Sequence, residues 1–382
     1  MTELNSTHPY NDGQNADKVT INTLQRTVYV KRIAQTSSIA KDIITYDIDN
    51  LYPQKVRSIM ERSGTTQSAV NTLANFTRGE GFERDDVILN RDNMTGFDIL
   101  RYISIEKAIF KGFALHFNYS RAGVITEINP VNFESFRYNK DMSKLLRKKD
   151  WLSWKEKSQE YNIFNLDTVR SEIAEQGFNN YKGQILYWKP DMAEIYPLCR
   201  FDACIDDAQL EAEAKIYKLS NIQNDYSLGG MFILPMSVKS SEEGKDIEDK
   251  IKNNGKGSAN AGNSLVVYTP ISEGMSGHKY FVPTSRNNID SMFTNQLNDA
   301  RDSIYAVYNQ PPILNGIAKN GMFNQESFKD AFMYYNSQTE QDRKDLERIL
   351  SLIFSNSVFG INDIEIKPKQ LIEDDRNSVN NE

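Results

Sequence analysis

Two uninterrupted helical segments of equal length frame a smaller segment in the middle of the chain. Residues 203–224 contain neither glycine nor proline and begin among acidic residues, which the dipole at a helix N-terminus favours. Residues 288–309 place apolar side chains at three- and four-residue intervals and end before Pro311-Pro312, which cannot continue a helix. Each segment has 22 residues. A helix of that length is about 33 Å long, so the pattern predicts a small module carried on two matched helices.

The segment between these helices, 225–287, has the pattern of a β-α-β-β module. Alternating apolar and β-branched residues predict strands at 231–236, 264–270 and 278–283. A charged segment at 240–252 predicts a helix between the first two strands.

A glycine-rich loop at 255–262 has the composition of a phosphate-binding loop. No Gly-Lys-Ser/Thr follows a glycine at the distance that a P-loop requires, and Asn260 departs from the dinucleotide-binding fingerprint. We therefore interpret the loop as a turn. A nucleotide-dependent enzyme that uses this loop is kept as an alternative, which calorimetric titration with nucleotides would detect.

The chain before the paired helices predicts one α+β unit. Helical periodicity is present at 58–76 and 97–111, and residues 114–138 alternate as a hairpin with a turn at 121–123. A further strand is expected at 183–190.

A third helix is expected over 325–354, which is 30 residues, and a helix of that length extends for about 45 Å. Its middle, 336–345, is almost wholly polar, so a lone monomer would leave it solvated and packing between subunits would decide which face is buried. Residues 1–22 and 372–382 lack an apolar pattern, and we expect both ends to be mobile.

Composition narrows the function. The 382 residues include 45 Lys and Arg against 52 Asp and Glu, a net charge of −7, which argues against a broad basic face for nucleic acid. No apolar stretch has the length of a membrane-spanning helix and no secretion signal is visible, so we expect a soluble protein that is not exported. Cys199 and Cys204 lack metal or redox spacing, and His8, His116 and His278 are far apart. No catalytic residue, cofactor or metal site is predicted.

Within the stretch 303–339, the expected helix ends with Ile304, Ala306 and Tyr308. Pro311, Pro312 and Gly316 follow it, and Asn324 and Glu326 lie at the start of the next helix. This stretch resembles the signature region of portal proteins from long-tailed bacteriophages, the capsid-vertex portal family. In that family a helix ends in an Ile/Ala/aromatic phrase followed by Pro-Pro and a glycine, and the next helix opens near Asn-x-Glu. The loop Gly257–Gly262 also matches, so the resemblance covers 201–354. Gln310 replaces the usual Val, and only 28 residues follow Phe354, which implies a crown domain that is minimal or absent.

The resemblance implies a portal fold of the α+β class and gives each segment a name. The parts would be a flexible N-terminus (1–22), the wing (23–200), a first stem helix (201–224), the clip (225–287), a second stem helix (288–309), the tunnel loop (310–324), the spine helix of the wing (325–355) and a C-terminal wing strand with a flexible tail (356–382).

The resemblance also implies a function and partners. Such proteins form dodecameric rings at one capsid vertex, act as conduits for DNA packaging and ejection, and are structural rather than enzymatic. The implied partners are further copies of the chain, the major capsid protein, the large terminase subunit, a head-tail adaptor and double-stranded DNA, with no membrane. The expected location is the portal vertex of the virion, and the host cytoplasm during assembly.

Three groups of residues are the candidate sites. The acidic wall of the stem would comprise Asp202, Asp206, Asp207, Glu211, Glu213, Asp290, Asp299 and Asp302. The clip loop, expected to dock terminase or adaptor, would comprise Gly255, Lys256, Gly257, Asn260 and Gly262. The tunnel-loop site would comprise Asn315, Gly316, Lys319, Asn320 and Gly321.

Charge supports the stem assignment independently of the resemblance. The first helix region has five acidic and two basic residues and the second has three and one, so one stem has a net charge of −5. Twelve copies would have about −60, although solvent screens exposed charge within roughly 10 Å. Such a surface repels DNA phosphates and keeps the duplex mobile. For Lys319 two interpretations stay open, a transient phosphate contact or a surface loop without DNA contact. A ring-forming virion adaptor or scaffold without a DNA channel is the other alternative function.

Overall fold

The computed structural model describes residues 37–38, 43–153, 155–190, 195–223, 230–235, 265–269, 281–283, 289–317, 325–362 and 364–371, all within the unit Ala34–Glu382. The strands are β1 (Ser37–Ser38), β2 (Ile43–Ile44), β3 (Phe113–Tyr119), β4 (Ile125–Val131), β5 (Phe136–Tyr138), β6 (Lys144–Arg147), β7 (Gln159–Ile163), β8 (Gln184–Trp188), β9 (Gly230–Pro235), β10 (Leu265–Thr269) and β11 (Phe281–Pro283). The α-helices are α1 (Tyr52–Arg62), α2 (Gly64–Arg78), α3 (Gly96–Phe110), α4 (Val169–Gln176), α5 (Ile205–Gln223), α6 (Ile289–Val307), α7 (Gln325–Gln338) and α8 (Glu340–Ser355). The segments predicted to be mobile, 1–22 and 372–382, lie outside the described residues.

Six strands form the main sheet in the order β4-β3-β8-β7-β6-β5. All neighbours pair antiparallel except β7 and β8, which are parallel. The predicted hairpin is present as β3 and β4, and Gly123 at φ +78° lies in its turn. Gly183, at φ +77°, precedes β8 where a Cβ would overlap the carbonyl oxygen of Phe117 on β3. Only glycine allows this close approach of two backbones.

The principal core lies between the sheet, α3 and α8. Its fully buried members include Ile103 of α3, Phe117 of β3 and Leu346 of α8. Helix α3 has distinct ends: Thr95 and Asp98 form a capping box at its start, and Lys111 is left-handed at its end. The α+β class expected from the sequence is confirmed.

The single helix expected at 58–76 is two helices. Ser63 ends α1 in an extended conformation, and its side chain accepts a hydrogen bond from the backbone N–H of Thr66 in α2. The serine therefore caps a new helix rather than continuing the old one. Apolar periodicity does not show this break because α2 resumes after one residue.

The 30-residue helix expected at 325–354 is also interrupted, because Thr339 separates α7 from α8. The prediction that its polar middle is solvated is wrong at two positions, since Thr339 and Arg343 are buried. The Arg343 guanidinium donates to the Phe76 carbonyl on α2, to the Asn336 carbonyl and to Thr339 Oγ1. These bonds supply donors to backbone carbonyls that lack a partner near the helix ends. The polar segment is therefore packed within the monomer.

The C-terminal segment has no regular strand within its described residues 356–362 and 364–371, in contrast to the strand expected there. Ser357 makes one isolated bridge to Ile125. Further along, Lys367 exchanges backbone hydrogen bonds with Glu80 and Gly81 at 2.9 Å each. Ile361, Ile364 and Ile366 are buried in the principal core, so the segment covers that core without joining the sheet.

Strands β9, β10 and β11 form a separate three-stranded sheet in the order β10-β9-β11. Strand β9 pairs parallel with β10 and antiparallel with β11. The predicted charged helix at 240–252 and the glycine-rich loop at 255–262 lie outside the described residues.

Candidate functional site

Helices α5 and α6 are the observed form of the two matched segments. Each has 19 residues, so they are equal in length but shorter than the 22-residue segments that the sequence indicates. Ala208 and Ala212 on α5 and Ala300 on α6 are buried. Small side chains on both helices allow close packing. Tyr217 and Phe293 add a ring contact at 5.1 Å between centroids.

The C-terminal end of α6 is fixed to the rest of the protein. Tyr308 is buried, and its hydroxyl donates to the backbone carbonyl of Ala108 at 3.2 Å. The hydroxyl of Tyr335 on α7 donates to the carbonyl of Tyr308 at 3.4 Å. Burial raises the pKa of Tyr308 far above its ordinary value, so the phenol stays a neutral donor. The paired helices are therefore anchored to α3 and α7 through this tyrosine.

Two residues of the predicted acidic wall face neighbouring helices. Asp202 accepts a hydrogen bond from the Tyr52 hydroxyl at 2.7 Å. Glu211 accepts from the Ser63 hydroxyl at 2.6 Å and from the Thr65 backbone N–H at 3.2 Å, at the N-terminus of α2. Its side chain is only 14% exposed and also pairs with Lys215 at 2.9 Å. We correct the prediction for Glu211, because a carboxylate held in this position joins α5 to α2 and presents little charge to solvent.

The pKa of Glu211 reflects this environment. Burial by itself raises the pKa, but the hydrogen bonds from Ser63, Lys215 and Thr65 outweigh it and hold the pKa below the ordinary value of Glu. The positive end of the α2 dipole acts in the same direction. Glu211 therefore stays ionised at neutral pH.

The remaining acidic residues are distributed along both helices. Asp206, Asp299 and Asp302 are exposed, while Asp207 and Glu213 are partly exposed. Glu213 faces Arg62 at 3.6 Å. Asp290 lies in the first turn of α6, and its side chain lies outside the described part of the structure.

The loop after α6 begins with a compact turn. Residues Pro312–Asn315 form a short 3₁₀ helix, and Gly316 ends it at φ +74° with no atom within 4 Å of a would-be Cβ. The Asn315 side-chain oxygen accepts from the hydroxyls of Ser68 and Thr72 on α2, both at 3.1 Å. Asn315 therefore anchors the start of the loop to α2, in contrast to its predicted place in a DNA-facing site. The other tunnel-loop candidates, Lys319, Asn320 and Gly321, lie outside the described residues.

All five clip-loop candidates, Gly255, Lys256, Gly257, Asn260 and Gly262, also lie outside the described residues. Gln310, the residue that departs from the portal pattern, is buried just before Pro311. Neither polar atom of its side-chain amide has a hydrogen-bond partner within the described structure.

A buried ionic cluster, which the sequence analysis did not identify, lies near the end of α6. Lys107 on α3 is 4% exposed and contacts Asp342 at 2.7 Å and Asp345 at 3.3 Å, both on α8. Arg200 pairs with Asp342 at 3.0 Å. Burial raises the pKa of Asp342, but Lys107 and Arg200 outweigh it and the net pKa is lowered. The sequence does contain one signal for this cluster. Lys107 follows Ile103 by four residues, so it lies on the apolar stripe of α3 that faces the core.

Within the described ranges, no cluster of three or more His, Cys, Asp or Glu side chains is placed to bind a metal ion. None of the described helices is both long and apolar enough to cross a membrane. Cys199 and Cys204 are both buried and unbonded to another cysteine.

Comparison with solved structures identifies similar chains in gene transfer agent particles. One belongs to the virion of a native gene transfer agent particle, with a TM-score of 0.50 and 13% identity over 82% of this chain and 83% of that chain. Another belongs to the neck of a native gene transfer agent particle, computed with C12 symmetry. It has a TM-score of 0.50 and 13% identity over 83% of this chain and 84% of that one. The chain shares their fold.

A phage portal protein of the HK97 family from Corynebacterium diphtheriae is also similar. Its TM-score is 0.35 at 10% identity, over 73% of this chain and 85% of that chain, which is too low to establish a common fold. No protein-family model and no curated protein matches the sequence. At 13% identity, the two gene transfer agent chains establish the fold alone.

Proposed function

We propose that this chain is a portal protein that forms a ring at one capsid vertex and serves as the conduit for viral DNA during packaging and ejection. The observation that carries the proposal is the pair of 19-residue helices, acidic and anchored at one end, within a fold shared with a chain from the neck of a gene transfer agent particle. The C12 symmetry used for that neck supports a twelvefold ring.

Charge on the paired helices suits a passage for DNA. The proposed wall leaves out Glu211 and also Asp202, whose carboxylate is partly buried and accepts a hydrogen bond from Tyr52. It consists of Asp206, Asp207, Glu213, Asp290, Asp299 and Asp302. Like charges on wall and duplex prevent the DNA from adhering, and a narrow low-dielectric passage strengthens this repulsion.

Exposed apolar side chains support assembly. Met333 and Tyr334 on α7 are 53% and 51% exposed, and Leu352 on α8 is 46% exposed. Large apolar groups left in water by a monomer are typical of surfaces that another chain covers. In the proposed ring, adjacent subunits cover them.

The finer assignments form part of the same proposal. The chain is a structural component of the virion without enzymatic activity, and the packaging terminase supplies the ATPase. The clip, 225–287, docks the large terminase subunit and later the head-tail adaptor, while the wing meets the major capsid protein. Lys319 in the tunnel loop contacts DNA phosphates transiently.

The decisive experiment is negative-stain electron microscopy of the purified protein, combined with a mass measurement in solution. We expect closed rings with a central channel wide enough for duplex DNA. A monomer, or a ring whose centre is too narrow for a duplex, would remove the portal function and favour an adaptor or scaffold. Calorimetric titration with ATP and GTP separately tests the nucleotide-binding alternative, which predicts saturable heat.

The DNA contact of Lys319 needs its own test. The variant Lys319→Glu should assemble into rings as the wild type does and should alter DNA packaging or retention. Rings with unchanged packaging would refute the role of Lys319 and leave the portal function standing.

A further inference from the structure

A polar pocket lies in the outer groove between α2 and α3. Its volume is about 400 Å³, which falls in the lower range of ligand-sized pockets. The lining residues are Asn71, Ala74, Asn75, Arg78, Arg101 and Ile105. Two arginines and two amides thus face one space.

The polar side chains of this pocket have no hydrogen bond or ion pair with any group in the described part of the chain. Arg78 is the clearest case, since its Nε atom is buried and lacks a hydrogen-bond partner among the described residues. Its guanidinium stacks on the Phe97 ring with 5.0 Å from Cζ to the centroid, which orients the group without neutralising its charge. Asn71 and Arg101 are exposed, so the argument rests on Arg78. Buried polar groups normally have partners, and the Nε atom of Arg78 therefore indicates a partner from outside the described residues.

Glu80 and Asp98 lie close enough to interact electrostatically with Arg78 and Arg101, but neither carboxylate forms an ion pair or hydrogen bond with these arginines within the described residues. Glu80 accepts from the backbone N–H of Gln370 at 3.3 Å. Asp98 belongs to the capping box and accepts from the backbone of Thr95 at 3.0 Å. Burial lowers the pKa of Arg78 and the like charge of Arg101 lowers it further, while Glu80 acts in the opposite direction, so the net pKa of Arg78 lies below its ordinary value.

The donors of the pocket define the class of ligand. Two guanidinium groups present paired N–H donors that match an oxyanion, and arginine forms bidentate bonds with carboxylate and phosphate. The chain itself has 52 Asp and Glu against 45 Lys and Arg. An acidic protein repels a polyanion such as DNA but offers many carboxylates to a second copy of itself.

We infer that the α2–α3 pocket is a contact between copies of this chain, in which Arg78 and Arg101 bind a carboxylate side chain of the neighbouring copy. The inference rests on the proposed ring. A head-to-tail ring requires two different complementary surfaces on each subunit, and this pocket is the basic member of such a pair.

The test compares Arg78→Gln and Arg101→Gln with Arg91→Gln, which removes the same charge from a side chain that is 88% exposed and pairs with Glu127. Association is measured by mass photometry over a concentration series at 0.15 M and 1 M NaCl. Each pocket variant should weaken association at least tenfold at the lower salt, because it leaves the carboxylate of the neighbour with only one of its two charged partners. High salt should reduce this difference. The control should assemble as the wild type does.

Thermal unfolding of the dissociated chains separates assembly from folding. Because neither arginine has a hydrogen bond or ion pair within the described residues, and Arg78 has only its stacking on Phe97, each Gln variant should unfold close to the midpoint of the Arg91→Gln control. A midpoint far below that control in either pocket variant would assign these arginines to the fold and overturn the inference.

The possible failures are distinguishable. If the wild type forms rings and the pocket variants form them with equal affinity, the inference fails and the portal function stands. If the wild type forms no ring, both fail. Binding of a labelled duplex that is lost in Arg78→Gln and Arg101→Gln while assembly is unchanged would assign the pocket to nucleic acid and overturn the inference.

Discussion

Replacing Glu211 by Gln tests whether this carboxylate holds α5 on α2 or belongs to a channel wall. The substitution keeps the size of the side chain and removes its charge. In the structure, Glu211 accepts a hydroxyl hydrogen bond at 2.6 Å and a backbone N–H at 3.2 Å at the N-terminus of α2. A neutral amide oxygen still accepts hydrogen bonds in this position, but it interacts less with the donors and with the helix dipole.

The expected loss follows from these contacts. Hydrogen bonds to a charged acceptor contribute about 1.5–3 kcal/mol net, and neutral ones roughly half. The charge at a helix N-terminus adds about 0.3–1 kcal/mol. The pair with Lys215 is exposed on the lysine side, and such pairs contribute under about 1 kcal/mol. Glu211→Gln should therefore reduce the free energy of unfolding by about 1–2.5 kcal/mol.

The assay is urea unfolding of the dissociated chain, with Glu213→Gln as the matched control on the same helix. Glu213 faces Arg62 at 3.6 Å and is partly exposed. Glu213→Gln should therefore reduce the free energy of unfolding by less than about 0.5 kcal/mol. The pH dependence gives a second measurement. Because folding lowers the pKa of Glu211 from 4.5, its charge stabilises the protein fully above pH 4.5, and this stabilisation is lost as the pH falls through the folded value. The free energies of unfolding of wild type and Glu211→Gln should therefore converge as the pH falls below that folded value.

Equal destabilisation by Glu211→Gln and Glu213→Gln would refute this reasoning. A difference between wild type and Glu211→Gln that persists unchanged to low pH would also refute it, because the charge would then not be the cause.

Three further predictions concern the backbone, the ionic cluster and the thiols. Gly183→Ala and Gly316→Ala both place a Cβ at a left-handed φ, but only the first overlaps a backbone carbonyl. In urea unfolding, Gly316→Ala should reduce the free energy of unfolding by about 1–2 kcal/mol, and Gly183→Ala should reduce it by at least about 1 kcal/mol more. Equal reductions in the two variants would contradict the β3–β8 packing. Lys107→Met should reduce the free energy of unfolding by about 2–4 kcal/mol, because it removes a positive charge that pairs with the largely buried carboxylates of Asp342 and Asp345. Lys344→Met breaks an exposed ion pair and should change the free energy of unfolding by under about 1 kcal/mol. Burial raises the pKa of Cys199 to about 12, so Ellman's reagent at pH 8 should modify it only after unfolding, and rapid modification of the folded protein would contradict this burial.

Local signals account for the elements that the sequence predicts best. Helix α3 was expected at 97–111 and occurs at Gly96–Phe110, because a capping box, an apolar stripe and Gly112 act within a few residues of its ends. The hairpin of β3 and β4 has the same origin, in alternation and a glycine turn.

Long-range contacts account for the errors. No glycine or proline marks the break at Thr339, and Arg343 is buried there because it reaches the Phe76 carbonyl on α2, far away in sequence. Asn315 was placed in a DNA-facing loop because of its neighbours in sequence, but two hydroxyls on α2 bind its side chain. In sequence, Glu211 differs from Glu213 by Lys215 four residues further on, which does not predict burial. The N-terminus of α2, which lies beside Glu211, accounts for its burial.

The sequence by itself determined that two equal helices with a net negative charge frame a strand module, because dipoles, proline and the absence of glycine act on the chain locally. Only the tertiary structure decided which carboxylates stay in solvent, which polar side chains are buried and which arginines lack a partner. Those outcomes depend on distant backbone groups that packing brings within hydrogen-bond distance, and on the charges that packing leaves unmatched.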